Sequence, residues 1–185
     1  LLSFAAGYAG RMADYSFRIA TQDDIQAITD IYNAAVIRGG SSADTTPRTY
    51  AQRKAWVESH HDPYAVFVTT GPATDAAAEG GERIIGFSAL SVFYDRAGYD
   101  GVTDLAYYIA PEWQGRGAGT FTLAKLLDEC RNRHTRKACG IIFADNRGSI
   151  ALMKHFGFTQ FGLMPQAATD STGTMRDMSY WHLDL

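Results

Sequence analysis

A run of closely spaced glycines carries the most specific chemical signal in this sequence. Gln114-Gly-Arg-Gly-Ala-Gly119 separates a segment of alternating apolar residues from a segment with helical apolar spacing. Glycine readily adopts positive φ angles and carries no Cβ, so such a turn can point several backbone N–H groups at one spot. The helix that follows adds unpaired N–H donors and the positive end of its dipole. A glycine run alone could be only a tight turn, but these flanking segments favour a phosphate-binding site.

The neighbouring residues exclude two common nucleotide-binding motifs. No Gly-Lys-Ser or Gly-Lys-Thr follows the turn, and no Gly-x-Gly-x-x-Gly follows the first expected strand. A phosphate-binding turn of another kind remains.

Length and composition restrict the class of protein. The 185 residues fit one domain with a substantial core, and the formal net charge of −3 argues against a nucleic-acid partner. No apolar run approaches the roughly 20 residues that span a bilayer. Cys130, Cys139 and the histidines lack metal-ligand spacing, and both cysteines are expected to be core thiols. We therefore expect a soluble protein with no metal, no nucleic-acid partner and no membrane contact.

The chain divides into a flexible N-terminal extension, residues 1–14, and one domain, residues 15–185. Met12 is a candidate natural start, and a signal peptide is the competing interpretation of the mildly apolar beginning. Small residues over 71–81 predict a mobile hairpin loop. Helices are expected from Ile25, over 49–59, after the glycine turn and from 145 to 157. Strands are expected over 16–20, 64–70, 83–94, from 104 to the turn, and over 137–144, 159–164 and 176–183.

Four segments resemble the GNAT superfamily of N-acetyltransferases, and most closely its phosphinothricin acetyltransferase-like branch. They are residues 18–25 with 31–33, 103–119, 144–150 and 155–158. The resemblance implies an α/β (α+β) fold, with one mixed, mostly antiparallel sheet of about six to seven strands and about four helices. It also implies a splayed parallel strand pair at an acetyl-CoA site, a cytoplasmic location and a homodimer.

The same resemblance assigns residues to the co-substrate acetyl-CoA. The turn would hold the pyrophosphate, and Asn146 with Ser149 would reach the pantetheine, although an Asn before a helix is usually a cap. The expected contacts are Tyr107, Ile109, Gln114, Gly115, Arg116, Gly117, Ala118, Gly119, Thr120, Asn146 and Ser149.

Acyl transfer from a thioester to an amine needs a base, a stabilised oxyanion and a leaving thiolate. Asp104 is the expected base, acting through water because Asp is one methylene shorter than the Glu usual in the branch. Backbone N–H groups around Tyr107 and Tyr108 would polarise the thioester carbonyl. Many relatives place a Tyr or His acid where this chain has Met153, which cannot donate a proton. Releasing an unprotonated thiolate at pH 7 would cost roughly 2 kcal/mol.

The acceptor site is expected among Tyr32, Arg96 and Tyr99, with Arg96 positioned to hold a substrate carboxylate. A solvent-facing loop is the alternative for Arg96 and Tyr99. Relatives often carry a bulky aromatic near position 43, where this chain has Ala43. The resemblance thus implies acetylation of a small primary amine, such as an amino acid or an analogue like phosphinothricin, by direct attack in a ternary complex. Acetylation of a protein N-terminus or lysine, and acyl-CoA sensing without turnover, remain alternatives.

Overall fold

The computed structural model describes residues 15–72 and 82–185. The expected extension over 1–14 and the loop residues 73–81 lie outside the described residues. Within them, the helices are α1 (Ile25–Arg38), α2 (Tyr50–Glu58), α3 (Ala118–Asn132) and α4 (Arg147–His155). The strands are β1 (Ser16–Ile19), β2 (Ala65–Pro72), β3 (Glu82–Val92), β4 (Val102–Ile109), β5 (Lys137–Phe143), β6 (Thr159–Thr169) and β7 (Met175–Asp184).

The strands form one seven-stranded sheet in the order β1-β2-β3-β4-β5-β7-β6. Neighbouring strands are antiparallel, except that β4 and β5 run parallel. The expected mixed, mostly antiparallel α/β sheet is confirmed.

Local sequence explains where several of these helices begin. The Thr49 side chain accepts a hydrogen bond from the Gln52 backbone N–H and starts α2. The Asn146 side chain does the same for α4, accepting from the Ser149 N–H at 3.1 Å. Before α1, buried Asp24 accepts hydrogen bonds from Thr21 and pairs with Arg18 at 2.6 Å. These caps lie where the sequence predicted helix starts.

Strand β6 is longer than expected, ending at Thr169 rather than near 164. Its pairing with β7 shifts register between Met164 and Ala168, and Gln166 has a positive φ of 47°. An irregularity of this kind breaks the two-residue alternation by which a strand is recognised in sequence. The second half of β6 was missed for that reason.

Two apolar clusters cover the two faces of the sheet. On one face, α1 packs Ile28 and Val36 against β2 and β3. On the other, α3 and α4 pack Leu123, Leu126 and Met153 against β4, β5 and β7. Residues of β4 therefore alternate between the two clusters, which places successive side chains in different chemical environments.

The parallel pair separates partway along its length. Pairing between β4 and β5 covers only three positions and ends at Asp104 and Cys139. The rest of β4, from Leu105 to Ile109, continues along β3 without a β5 partner. The expected splay is therefore present, and it opens a cleft between the two strands.

Candidate active site

A cavity of about 680 Å³ occupies the cleft between β4 and β5. Its wall joins the free half of β4, the glycine turn, the end of β5, one side of α4, and the end of α1 with the loop that follows it. Among the residues that line it are Asp104, Tyr107, Tyr108, Ile109, Gln114, Gly115, Gly117, Gly119, Thr120, Asn146 and Ser149. The structure thus brings together eleven of the residues singled out in the sequence.

The glycine turn has a backbone geometry typical of anion-binding turns. Gly115 and Gly117 have φ angles of 72° and 90°, a region that glycine enters without strain. Gly117 caps α3, so the N–H groups of the first helical turn face the cavity without intrahelical partners. A Cβ on Gly119 would come within 3.2 Å of Leu152 Cδ1, so the space there would be filled by any side chain. The turn and its free donors fit a pyrophosphate.

Two residues of the turn lie off the cavity wall. Ala118 is fully buried in the core. The Arg116 guanidinium lies 5.6 Å from the centre of the Trp113 ring, and the Arg116 carbonyl accepts a hydrogen bond from the Tyr15 hydroxyl at 3.0 Å. For both residues a contact with acetyl-CoA remains a prediction.

Arg38 is a cavity residue that the sequence did not single out. Its guanidinium donates to Gln114 Oε1 at 2.9 Å, while Gln114 Nε2 donates to the Ile109 carbonyl at 2.9 Å. In a sequence, a basic residue in the last turn of a helix is normally explained by its favourable interaction with the helix dipole. Only the tertiary structure shows that the Arg38 guanidinium lies at the glycine-turn end of the cavity, where its positive charge could bind a phosphate.

Asp104 lies where β4 and β5 part, with its carboxylate largely buried. Its Oδ1 has no hydrogen-bond partner among the described residues. Burial raises the pKa of Asp104 to about 7, and the Leu105 backbone N–H offsets part of that rise. A carboxylate with this pKa is half ionised near neutral pH, as a general base requires.

Tyr107 and Tyr108 point to opposite faces of the sheet. The Tyr108 ring stacks on Phe87, with centroids 5.2 Å apart, and meets Tyr32 edge-on at 5.1 Å. Tyr107 packs instead with the α3 and α4 cluster. Burial raises the pKa of Tyr107 to about 12, with Ser149 opposing the shift. Ser149 faces the Tyr107 hydroxyl, although the geometry falls short of a hydrogen bond.

The expected acceptor residues Tyr32, Arg96 and Tyr99 are not among the residues that line the cavity. The Tyr32 hydroxyl donates to Asp44 at 2.6 Å and is 2.9 Å from the Ser42 hydroxyl, and Ser42 and Ala43 do line the cavity. Arg96 and Tyr99 are exposed on the loop before β4. A direct contact between an acceptor and Tyr32, Arg96 or Tyr99 therefore stays a prediction.

Met153 is not on the cavity wall, contrary to the position that the resemblance implied. Its side chain is fully buried in the core of the α3 and α4 face. A Cβ on Gly140 would lie 3.2 Å from Met153 Sδ, which shows how closely this side chain approaches β5. Leu152 and His155 are the neighbouring α4 residues that line the cavity.

The substitution Met153→Tyr should therefore destabilise the protein and should not accelerate acetyl transfer. The added ring has no cavity to enter, and overpacking costs typically about 1–3 kcal/mol. Denaturant unfolding measures the loss, and Met153→Leu is the volume-matched control, expected to cost less than about 1.5 kcal/mol. If the tyrosine variant kept full stability and had a faster single-turnover rate, the result would contradict the core position of residue 153 and place its side chain in the cavity.

Other classes of site find no support in the part of the chain that the structure describes. Residues 15–72 and 82–185 contain no group of three or more His, Cys, Asp or Glu side chains arranged to hold a metal ion. Cys130 and Cys139 are buried free thiols. Within the same ranges, no helix is long and apolar enough to cross a membrane.

Comparison with known proteins agrees with this geometry. Residues 25–158 match the model of the Acetyltransferase (GNAT) family. The chain is 30% identical over 152 residues to a phosphinothricin N-acetyltransferase of Streptomyces coelicolor, covering 81% of this chain and 85% of that protein. It is 28% identical over 171 residues to an L-methionine sulfoximine/L-methionine sulfone acetyltransferase of Pseudomonas aeruginosa, covering 92% and 94%.

A solved structure extends the similarity to the fold. The crystal structure of a GNAT superfamily phosphinothricin acetyltransferase from Sinorhizobium meliloti in complex with AcCoA superposes with a TM-score of 0.80 at 26% identity. The match covers 93% of this chain and 89% of that one. Because the family model spans well over half of the sequence, the chain belongs to the acetyltransferase (GNAT) family and is an acyltransferase.

Proposed function

We propose that the protein transfers the acetyl group of acetyl-CoA to the primary amine of a small molecule of the amino-acid type, by direct attack in a ternary complex. The observation that carries this proposal is the position of Asp104. Its buried carboxylate lies at the point where β4 and β5 separate, in the cavity that also includes the glycine turn. One cavity thus contains a phosphate cradle and a base.

Acetyl-CoA would be held along the free half of β4. The N–H groups at the start of α3 and the Arg38 guanidinium would bind the pyrophosphate. The backbone of Leu105 to Ile109 lacks a β5 partner, so its free groups can hydrogen-bond the pantetheine as an added strand would. Bound there, the thioester supplies the electrophilic carbonyl, and backbone N–H groups near Tyr107 and Tyr108 would polarise it.

Asp104 would accept the proton that an alkylammonium must lose before it attacks. Since its pKa is about 7, the carboxylate is ionised in a large share of molecules at neutral pH and still basic enough to hold a proton. Asp104 lines the cavity and its Oδ1 has no partner among the described residues, so a water molecule in the cavity could hydrogen-bond to it and relay the proton.

Three observations support an amino-acid type of acceptor. Two relatives are named for phosphinothricin and for methionine sulfoximine or sulfone. Ser41, Ser42 and Ala43 give the cavity a lining of small side chains, two of them hydroxyls. Arg96 is exposed on the loop that leads into β4, with its guanidinium 5.7 Å from the centre of the Tyr94 ring, and it would hold the acceptor carboxylate by a two-pronged hydrogen bond.

A panel of amines tests the proposal, with CoA thiol release as the measurement. We expect turnover with amino-acid analogues that carry a carboxylate beside the amine, and little with the matching amines that lack it. Arg96→Ala should raise KM for the former about 10- to 100-fold, because charge-assisted hydrogen bonds are lost. Arg131→Ala, an exposed arginine on α3, is the control. Acetylation of peptides alone would favour the protein-acetyltransferase alternative instead.

We also propose that the protein is a cytoplasmic homodimer. Four exposed apolar side chains lie on the β6–β7 edge of the sheet, Phe161, Leu163, Met164 and Met175, each more than half exposed. Exposed apolar side chains at a sheet edge suit contact with a second copy. The two free, buried thiols are compatible with a reducing compartment.

A further inference from the structure

Position 153, where many relatives carry an acid for the leaving thiolate, holds a methionine that lies in the core, so it supplies no proton donor to the cavity. Met153 carries no proton donor and does not line the cavity. Across the gap between α4 and β4, however, the Tyr107 hydroxyl is buried and has no hydrogen-bond partner among the described residues. A buried hydroxyl without a partner has lost its hydrogen bonds to water and makes none within the protein, which lowers the stability of the folded state. Such a group is explained if a ligand completes it.

Tyr107 lies on the wall of the cavity in which the thioester is proposed to bind. It lines the cavity three residues beyond Asp104, on the face of β4 that packs against α3 and α4. Ser149, one helical turn before Met153 on the same side of α4, lines the cavity beside it. Tyr108, the next residue, points to the opposite face and packs on Phe87, so it cannot serve this position.

We propose that the Tyr107 hydroxyl donates a hydrogen bond to the CoA sulfur and stabilises the thiolate as the C–S bond breaks. This assignment rests on the proposed acetyl transfer from acetyl-CoA. The N–C bond forms as the C–S bond breaks, and the electron pair of the C–S bond remains on sulfur. Two protons leave the ammonium nitrogen: one reaches solvent through Asp104, and the other finally neutralises the thiolate.

The chemistry of Tyr107 suits a donor rather than an acid that loses its proton. Because burial raises its pKa to about 12, the hydroxyl keeps its proton throughout the neutral range. Full proton transfer to a thiolate with a pKa near 8.5 would be unfavourable, whereas a hydrogen bond to that charge is favourable. The hydrogen bond is made only when negative charge develops on sulfur, so it acts on the transition state more than on the bound thioester.

The direct test is the acidity of bound CoA, which requires no acceptor amine. CoA is titrated on the protein by the ultraviolet absorbance of its thiolate, with CoA lacking the thiol as the blank. Cys130 and Cys139 do not interfere, because burial raises their pKa values to about 12 and about 11. We expect Tyr107→Phe to weaken the acidity of the bound thiol about 10- to 100-fold, which is about one to two pKa units.

Two further readouts complete the test. Tyr107→Phe should bind acetyl-CoA with little change in affinity and should keep its stability, because only an unpartnered hydroxyl is removed. Its single-turnover acetyl transfer should fall about 10- to 100-fold. Tyr180→Phe, the same change at a tyrosine on β7 outside the cavity, is the control and should match wild type.

An unchanged pKa of the bound thiol in Tyr107→Phe would overturn the assignment. The Asp104 carboxyl titrates in the same region, but it is present in both proteins and cancels in the comparison. Failure of the proposed function looks different: no amine in the panel would then release thiol from wild-type protein, while the titration would still report on Tyr107.

Discussion

Replacing Asp104 by asparagine should lower turnover at neutral pH by about 10²- to 10⁴-fold, the range for loss of a general base. The affinity for acetyl-CoA should barely change, because the carboxylate lies at the acceptor end of β4 and the amide has nearly the same shape. Steady-state kinetics and calorimetric titration with acetyl-CoA check the two parts. Asp128→Asn, an exposed carboxylate on α3, is the matched control.

The pH dependence of this variant separates a base from a structural carboxylate. The wild-type rate should rise through about pH 7, where Asp104 ionises. The Asn variant should lack that rise, and its deficit should shrink toward high pH because more of the amine is already neutral. If the pH–rate profiles of the two proteins stayed parallel up to pH 10, Asp104 would not be the general base.

Stability should respond to the same titration in a defined direction. The native state holds the Asp104 proton more tightly than the unfolded chain does, because its pKa is raised from 3.8 to about 7. The stability that this tighter proton binding adds to the native state is therefore fully present below about pH 4, and it is lost as the pH rises through 7. Asp104→Asn should unfold at a higher temperature than wild type at pH 8 and not at pH 4.

Gly119→Leu is expected to weaken acetyl-CoA binding at least about 100-fold, equivalent to about 2.7 kcal/mol. A Cβ at this position would already lie 3.2 Å from Leu152 Cδ1 and 3.9 Å from Ile109 Cγ1, and all three residues line the cavity. A larger side chain would extend further among these cavity-lining residues and take space that the co-substrate needs. Calorimetric titration with acetyl-CoA measures the loss.

Gly119 is a better probe than its neighbours in the turn, because its backbone conformation is open to other residues. Gly117 has a φ of 90°, so a substitution there would add backbone strain to any effect on binding. Gly98→Leu is the control: a Cβ at Gly98 meets no atom within 4 Å, and affinity should be unchanged. Full affinity of Gly119→Leu for acetyl-CoA would refute the phosphate cradle.

Local sequence patterns were sufficient to predict most of the helices and strands and the position of the turn. Apolar periodicity, capping residues such as Thr49 and Asn146, and the spacing of the glycines are local properties, and local backbone preferences follow from them. The splayed strand pair came from resemblance to a family, since a pairing between β4 and β5 depends on residues far apart in the chain. The second half of β6 was missed because its register shift breaks the local pattern.

Only the tertiary structure decided which side chains can act. Asp104 owes its raised pKa to burial, and no spacing in the sequence encodes the depth of a carboxylate. The orientation of α4 put Met153 in the core, and the pleat of β4 sent Tyr107 and Tyr108 to opposite faces. Arg38 reached Gln114 across 76 residues of sequence. The sequence is enough to recognise the candidate residues of the site. Their burial, orientation and long-range contacts arise only when the whole chain packs, and these properties determine the chemistry of the site.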